Sequence, residues 1–282
     1  MIYVSTGGEK NNPAWITSKE FLEDGIYNIE LSGGKFHENQ LHELKKLKNV
    51  ATFRIHNYFP PPRNPFVFNL ASLDQNIGRK SYNHAINSIN WAVELEQPIY
   101  SFHAGFLINL EVHELGSKVS KRDFNDRHLA TNIFLERIDK ISEYARKMGV
   151  NLLIENNVLS LNNHREFKSN PFLMATAAEC IHIMKNTPSN VNLLIDLAHL
   201  KVSANSLNFD PSKFLSKCEK WIKAYHLSDN DGKSDSNQSV SVDSWFWQDL
   251  IRKLDYYCLE IYDVSLSCLK TQINLTRSKL KL

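Results

Sequence analysis

Four side chains able to hold a divalent cation share one kind of position in this sequence, the end of a short apolar run with strand character. Glu155 closes NLLIE, Asp196 closes VNLLID, His226 closes KAYH and Glu260 closes YYCLE. His56 in ATFRIH and His103 in PIYSFH stand in the same kind of place. An ionisable group buried alone costs several kcal/mol, so each of these needs a partner. Singly, each has an ordinary reading: a salt bridge for a glutamate, a core hydrogen bond for a histidine. Together, on consecutive strands, they would repel one another or stay unpaired without a cation between them. Carboxylate oxygens and imidazole nitrogens suit Mn²⁺, Zn²⁺, Mg²⁺ or Co²⁺. Glu155, Asp196, His226 and Glu260 are therefore the expected metal ligands.

Such convergence needs a scaffold that gathers strand ends. Runs 2–6, 26–32, 50–56, 98–103, 151–156, 191–197, 223–228 and 256–262 are short and rich in Ile, Val, Leu, Tyr and Phe. Between them, helical spacing predicts helices over 39–48, 81–96, 126–149, 172–186, 210–222 and 245–254. Gly149 suits a helix end, and Asp210-Pro211 a helix start. Eight strand–helix units predict an α/β fold, a single (β/α)8 TIM barrel over 1–282 with the metal site at the C-terminal mouth of the strands. A doubly wound open sheet is the competitor. It calls for a glycine-rich phosphate loop after the first strand, and STGGEKNN is not GxGxxG.

Composition narrows the function classes. The 282 residues carry 33 Lys plus Arg against 31 acids, a net charge of +2, which makes nucleic acid an unexpected partner. No run approaches the ~20 apolar residues of a membrane span. The segment MIYVSTGGEKNN lacks the basic and apolar regions of a secretory signal, so a cytoplasmic location is expected. Cys180, Cys218, Cys258 and Cys268 form no CxxC pair and read as reduced, structural thiols. Homo-oligomerisation stays open.

IENN, LIDLAHL, YHLSDNDG and LEIY, in that order, resemble the xylose isomerase-like barrels, which join sugar and sugar-phosphate isomerases and epimerases with apurinic/apyrimidinic endonucleases of family 2. The likeness runs from about residue 26 to 262. The isomerase branch implies one metal at Glu155, Asp196, His226 and Glu260. Glu155 and Glu260 are then the catalytic pair, moving a proton next to the carbonyl of a sugar or sugar phosphate through an enediolate. The endonuclease branch implies three zincs and phosphoester hydrolysis. His56 and His103 then join Glu155 at a second metal, and His199 with Asp235 serves a third. Asn237 stands where that branch has a histidine, and an amide is a poor zinc ligand. His56, His103, His199 and Asp235 are accordingly expected as second-metal ligands or substrate contacts. A barrel that only binds a ligand is the third reading, opposed by the intact Glu155/Glu260 pair.

Several residues have plainer expectations. Glu30 and Arg54 share inward parity on adjacent strands and predict a buried salt bridge. Asp229 and Asp231 in SDNDG are expected to shape a turn, and Trp245 and Trp247 to pack a helix onto the barrel. KKLK at 45–48 reads as a solvated helix face.

Overall fold

The computed structural model describes residues 1–9, 11–114, 119–254 and 256–282. Eight parallel strands close a barrel in chain order: β1 (Ile2–Ser5), β2 (Asn28–Leu31), β3 (Thr52–His56), β4 (Ile99–His103), β5 (Asn151–Glu155), β6 (Val191–Asp196), β7 (Ile222–Leu227) and β8 (Tyr256–Leu259). β1 pairs with both β2 and β8, which removes the sheet edge. Among the described residues nine α-helices follow or join the strands: α1 (Ala14–Glu23), α2 (Gln40–Leu47), α3 (Gln75–Glu94), α4 (Arg127–Lys147), α5 (Leu161–Phe167), α6 (Ala177–Lys185), α7 (Leu197–Leu207), α8 (Pro211–Cys218) and α9 (Leu266–Leu280).

Side chains alternate across a strand, so residues two apart face the same way. Tyr3, Leu153, Leu194, Ala224, Tyr256 and Cys258 form one buried cluster inside the barrel. Two residues beyond Leu153, Leu194, Ala224 and Cys258 come Glu155, Asp196, His226 and Glu260. The same step leads from Arg54 to His56 and from Ser101 to His103. The interior thus becomes polar by one layer of side chains at the C-terminal ends. A larger apolar cluster, including Phe53, Ile55, Phe102, Ile154 and Ile195, lies on the opposite strand parity and packs the helices onto the barrel.

Helix ends follow local capping chemistry. The Asp126 side chain accepts from Leu129 N at α4, the Asp210 side chain accepts from Ser212 N and Lys213 N at α8, and Gly149 takes φ +73° just past α4. α3 starts earlier than its apolar spacing predicts, because Asp74 caps Asn76 N and Ile77 N. α6 starts later: Leu107 N donates to Pro171 O and Leu173 N to Gly105 O, so 171–173 run beside the loop after β4. The expected helix over 245–254 is absent. Ile251 N donates to the Tyr225 hydroxyl and Leu254 N to that of Tyr257, while Trp247 Nε1 donates to Ser241 O. Those backbone donors leave the helical ladder, and Lys253 sits at φ +75°. Trp247 is buried beside Phe246 in this turn.

The Glu30–Arg54 salt bridge is also corrected. The two residues are register partners, yet the Arg54 guanidinium donates to Phe53 O and Gln97 Oε1, next to the Tyr3 and Tyr256 rings. Glu30 turns to His226 and Tyr256 instead. The turn roles hold: Asp229 accepts from Lys201 and Ser244, and Asp231 from Lys233 N and Ser234 N. Lys45, Lys46 and Lys48 pair with Glu94, Glu43 and Glu96 on the surface. All four cysteines are free thiols.

Candidate metal centre and active site

β5 to β8 bring Glu155, Asp196, His226 and Glu260 to one point. One ligand atom from each lies within 4.8 Å of the others. Glu155, Asp196 and His226 are fully buried, and Glu260 nearly so. Both carboxylate oxygens of Glu155, Asp196 Oδ2 and His226 Nδ1 have no hydrogen-bond partner among the described residues. Orphaned acceptors at this depth would each cost a desolvation penalty. A divalent cation would satisfy Asp196 Oδ2, His226 Nδ1 and one oxygen of Glu155 together, so the donor set fits the group that the strand ends imply.

The remaining atoms of these side chains are tied down. Asp196 Oδ1 accepts from His199 N at 2.7 Å, so the same residue ends β6 and caps α7. His226 Nε2 donates to Glu30 Oε2 at 2.8 Å, and Tyr256 donates to the same oxygen. That leaves Nδ1 facing Glu260 Oε2 at 2.9 Å, Glu155 Oε1 at 3.5 Å and Asp196 Oδ2 at 3.8 Å. A carboxylate on the far nitrogen of a metal-facing imidazole fixes its tautomer and raises its basicity. Tyr262 donates to Glu260 Oε1 at 2.5 Å. Its ring packs against Gly7 and Gly8, where any Cβ would collide with it.

His56, His103, His199 and Asp235 join the same cluster. His56 Nε2 lies 3.2 Å and His103 Nδ1 3.5 Å from Glu155 Oε2. On the other oxygen, His199 Nδ1 lies 3.4 Å from Glu155 Oε1, and its Nε2 is 3.1 Å from Asp235 Oδ2. His199 Nδ1 also donates to Asn156 O at 3.0 Å. Ser101 Oγ meets His56 Nδ1 at 3.0 Å. Asn237 touches the end of the barrel through its carbonyl, which accepts from Tyr262 N. All eight residues expected from the sequence are therefore neighbours. Sequence reasoning missed the supporting groups Glu30, Tyr256, Tyr262 and Ser101. The inward parity of Glu30 was a signal, but its partner lies 196 positions away.

The electrostatics follow from burial against mutual attraction. Burial would raise Glu155, but His103, His226 and His56 outweigh it and hold the carboxyl at about 2. Glu260 is likewise held well below the carboxylate range, burial being outweighed chiefly by His226. Burial pushes Asp196 up to about 8, with Glu155, Asp235 and Glu260 adding to it against His199. Burial pushes His103 down to about 4 despite Glu155, leaving a neutral imidazole suited to ligation.

A cavity of about 390 Å³ opens beside this cluster, with His103, His199 and Asp235 on its wall. The loops after β3, β4 and β5 supply most of the rest, including Tyr58, Phe66, Phe106 and Asn157. Trp245 and Trp247 are not part of that lining.

Residues 23–255 match the family model described as the xylose isomerase-like TIM barrel. The chain belongs to this family. No curated protein matches the sequence. Among solved structures, a D-tagatose 3-epimerase-like protein superposes with a TM-score of 0.74 at 16% identity, covering 99% of this chain and 97% of that one. A Thermus thermophilus protein soaked with ZnCl₂ gives 0.63 at 17% identity, covering 98% of each chain. The 3-keto-D-glucoside 4-epimerase from E. coli gives 0.65 at 9% identity, covering 100% of this chain and 99% of that one. At such identities the likeness is one of fold. No helix among the described residues is long and apolar enough to cross a membrane.

Proposed function

We propose that this barrel is a divalent-metal-dependent isomerase or epimerase of a sugar or sugar derivative. The observation that carries the reading is the convergence of Glu155 and Glu260, buried and held ionised, on Asp196 Oδ2 and His226 Nδ1 beside a cavity of small-molecule size. A cation held by Glu155, Asp196, His226 and Glu260 would act as a Lewis acid that polarises a carbonyl and its neighbouring hydroxyl. Glu155 or Glu260 takes the proton from the carbon next to that carbonyl, and the other returns one to the neighbouring carbon or the opposite face. Both carboxylates are weak bases, so their contribution depends on fixed position and on an acidified substrate proton. His103, on the cavity wall, would bind a substrate hydroxyl, and burial keeps bulk water from quenching the carbanionic intermediate.

The test is solvent exchange. Incubated in D₂O with a panel of ketoses and aldoses, the metal-loaded protein is expected to place deuterium on the carbon next to the carbonyl of its substrate. Absence of both exchange and interconversion across the panel would refute the assignment.

A second reading, a metal-dependent phosphoester hydrolase, draws on one specific observation. Glu155 directs one oxygen at His56 and His103 and the other at His199 and His226. A carboxylate so placed suits bridging two cations, and His56, His103 and Glu155 themselves form a potential three-ligand group. Elemental analysis of protein purified without chelator separates the two: one equivalent favours the isomerase, two or three the hydrolase.

A further inference from the structure

The walls of the cavity carry a chemical preference. Phe66, Phe68, Phe106, Leu110, Val119 and Phe172 line it with apolar side chains, while the polar groups of the candidate site gather at His103, His199 and Asp235. Phe68, Leu110, Val119 and Phe172 are buried, and the Phe106 and Phe172 rings meet edge to face at 5.6 Å. Val67, Leu110, Val119, Phe167 and Phe172 belong to one satellite apolar cluster that Phe106 completes, so the face is packed from behind.

Among the described residues, charge at the apolar end is already paired. Glu114 lines the cavity, but its carboxylate accepts from Glu111 N, Ser120 N and the Arg122 guanidinium. At the start of α5, the Ser160 hydroxyl accepts from Asn163 N and the Asn163 side chain accepts from Val119 N. Lys233, near Asp235, is the one Lys or Arg among the described lining residues. A phosphate ester is normally recognised by arginine forks, several cations or free backbone N–H groups. A bare polyol would turn hydroxyls toward phenyl rings, and each unpaired buried hydroxyl is costly.

Resting on the isomerase reading for the position of the reacting end, we propose that the substrate is an uncharged sugar derivative carrying an apolar substituent. The carbonyl and its hydroxyls lie at His103 and the metal ligands. The substituent, an aryl, alkyl or deoxygenated portion, fills the pocket between Phe66, Phe106 and Phe172. Burial of a benzyl-sized group against such a face raises affinity by roughly ten- to a hundredfold.

Three matched ligands test this on the full chain loaded with Mn²⁺: a free ketohexose, its terminal phosphate ester and its terminal benzyl ether, compared by calorimetric titration and by deuterium exchange in D₂O. The benzyl ether is expected to bind ten- to a hundredfold more tightly than the free sugar, with the phosphate ester no tighter than the free sugar. Phe66→Ala, at a half-buried position, is expected to erase that preference, bringing benzyl-ether affinity down to that of the free sugar, while metal content stays within twofold. Phe106→Ala supplies the same readout from the opposite wall should the first variant fold poorly. Tightest binding of the phosphate ester, equal binding of all three or binding of none overturns the proposal. Preferential binding of the benzyl ether with neither deuterium exchange nor interconversion upholds the pocket assignment and refutes the isomerase chemistry, so the two failures are distinguishable.

Discussion

Replacing Glu30 by Gln probes the support of the candidate metal centre without touching a metal ligand. Glu30 is fully buried, its Oε2 accepts from His226 Nε2 at 2.8 Å, and Tyr256 shares that oxygen. Burial by itself would raise the Glu30 pKa, but His226 and His56 outweigh it and keep the carboxylate charged. The amide retains an acceptor for His226 and a similar shape, so the change removes charge rather than contact. A hydrogen bond to a charged group contributes about 1.5–3 kcal/mol, against about 0.5–1.5 for a neutral pair. The difference, about 1–1.5 kcal/mol, is roughly five- to thirteenfold in a binding constant. Loss of a partner behind a metal-bound histidine typically costs 10–100-fold in metal affinity. A weakening of about tenfold is therefore expected for Glu30→Gln, and closer to a hundredfold for Glu30→Ala, which leaves the His226 N–H and Tyr256 hydroxyl unsatisfied. Competition with a fluorescent chelator measures Mn²⁺ and Zn²⁺ affinity directly, independent of turnover. An unchanged dissociation constant in Glu30→Gln, with the fold intact by circular dichroism, would mean that His226 Nδ1 is not a ligand.

Further expectations concern single groups. Asp196→Asn keeps an oxygen able to cap α7 at His199 N, so thermal stability should change little while the metal equivalent is lost; full metal content by elemental analysis would remove Asp196 from the ligand set. Tyr262→Phe deletes the 2.5 Å hydrogen bond to Glu260 Oε1 and should weaken metal binding about tenfold; identical affinity would show that Glu260 is positioned by other contacts. His84, buried among Tyr58, Phe66 and Phe68, is pushed down by burial to about 4 from 6.5. Above pH 6.5 it is neutral in both states; as pH falls towards 4 the unfolded chain gains a proton that the folded chain refuses, removing about 3 kcal/mol of stability. Urea unfolding of His84→Gln and the parent between pH 7 and 4 should diverge by that amount, and parallel curves would contradict the assignment.

Much of the site is local information. A strand alternates its side chains with a period of two, so an ionisable residue ending an apolar run must point inward at the top of a barrel or outward among helices. Six such endings, at His56, His103, Glu155, Asp196, His226 and Glu260, therefore announce a shared mouth. His199 is expected only from the family resemblance; the structure places it beside the cluster because Asp196 caps α7, which begins at once. Strand bounds were legible to within a few residues. Helices were less so: α1 buries Thr17 and Ser18, α9 buries Gln272 and Thr276, and α7 is buried on nearly every side. Those patterns blunt the polar–apolar contrast on which periodicity depends.

What the sequence by itself determined is the set of eight strands, their closure into a barrel and the inward direction of the ligand-type side chains, since these depend on residue parity and local apolar runs. Only the tertiary structure decided who meets whom. Glu30 and Arg54 are register neighbours, yet barrel closure brings His226 within reach of Glu30 from across the interior, and the guanidinium turns to Gln97 before β4. Residues 245–254 have helical spacing, but the tyrosine hydroxyls of β7 and β8 take two of their backbone N–H groups. The apolar face of the cavity is assembled from loops after three different strands. Each of these outcomes is a competition between long-range partners for one donor, acceptor or surface, and no local pattern records which partner is closer.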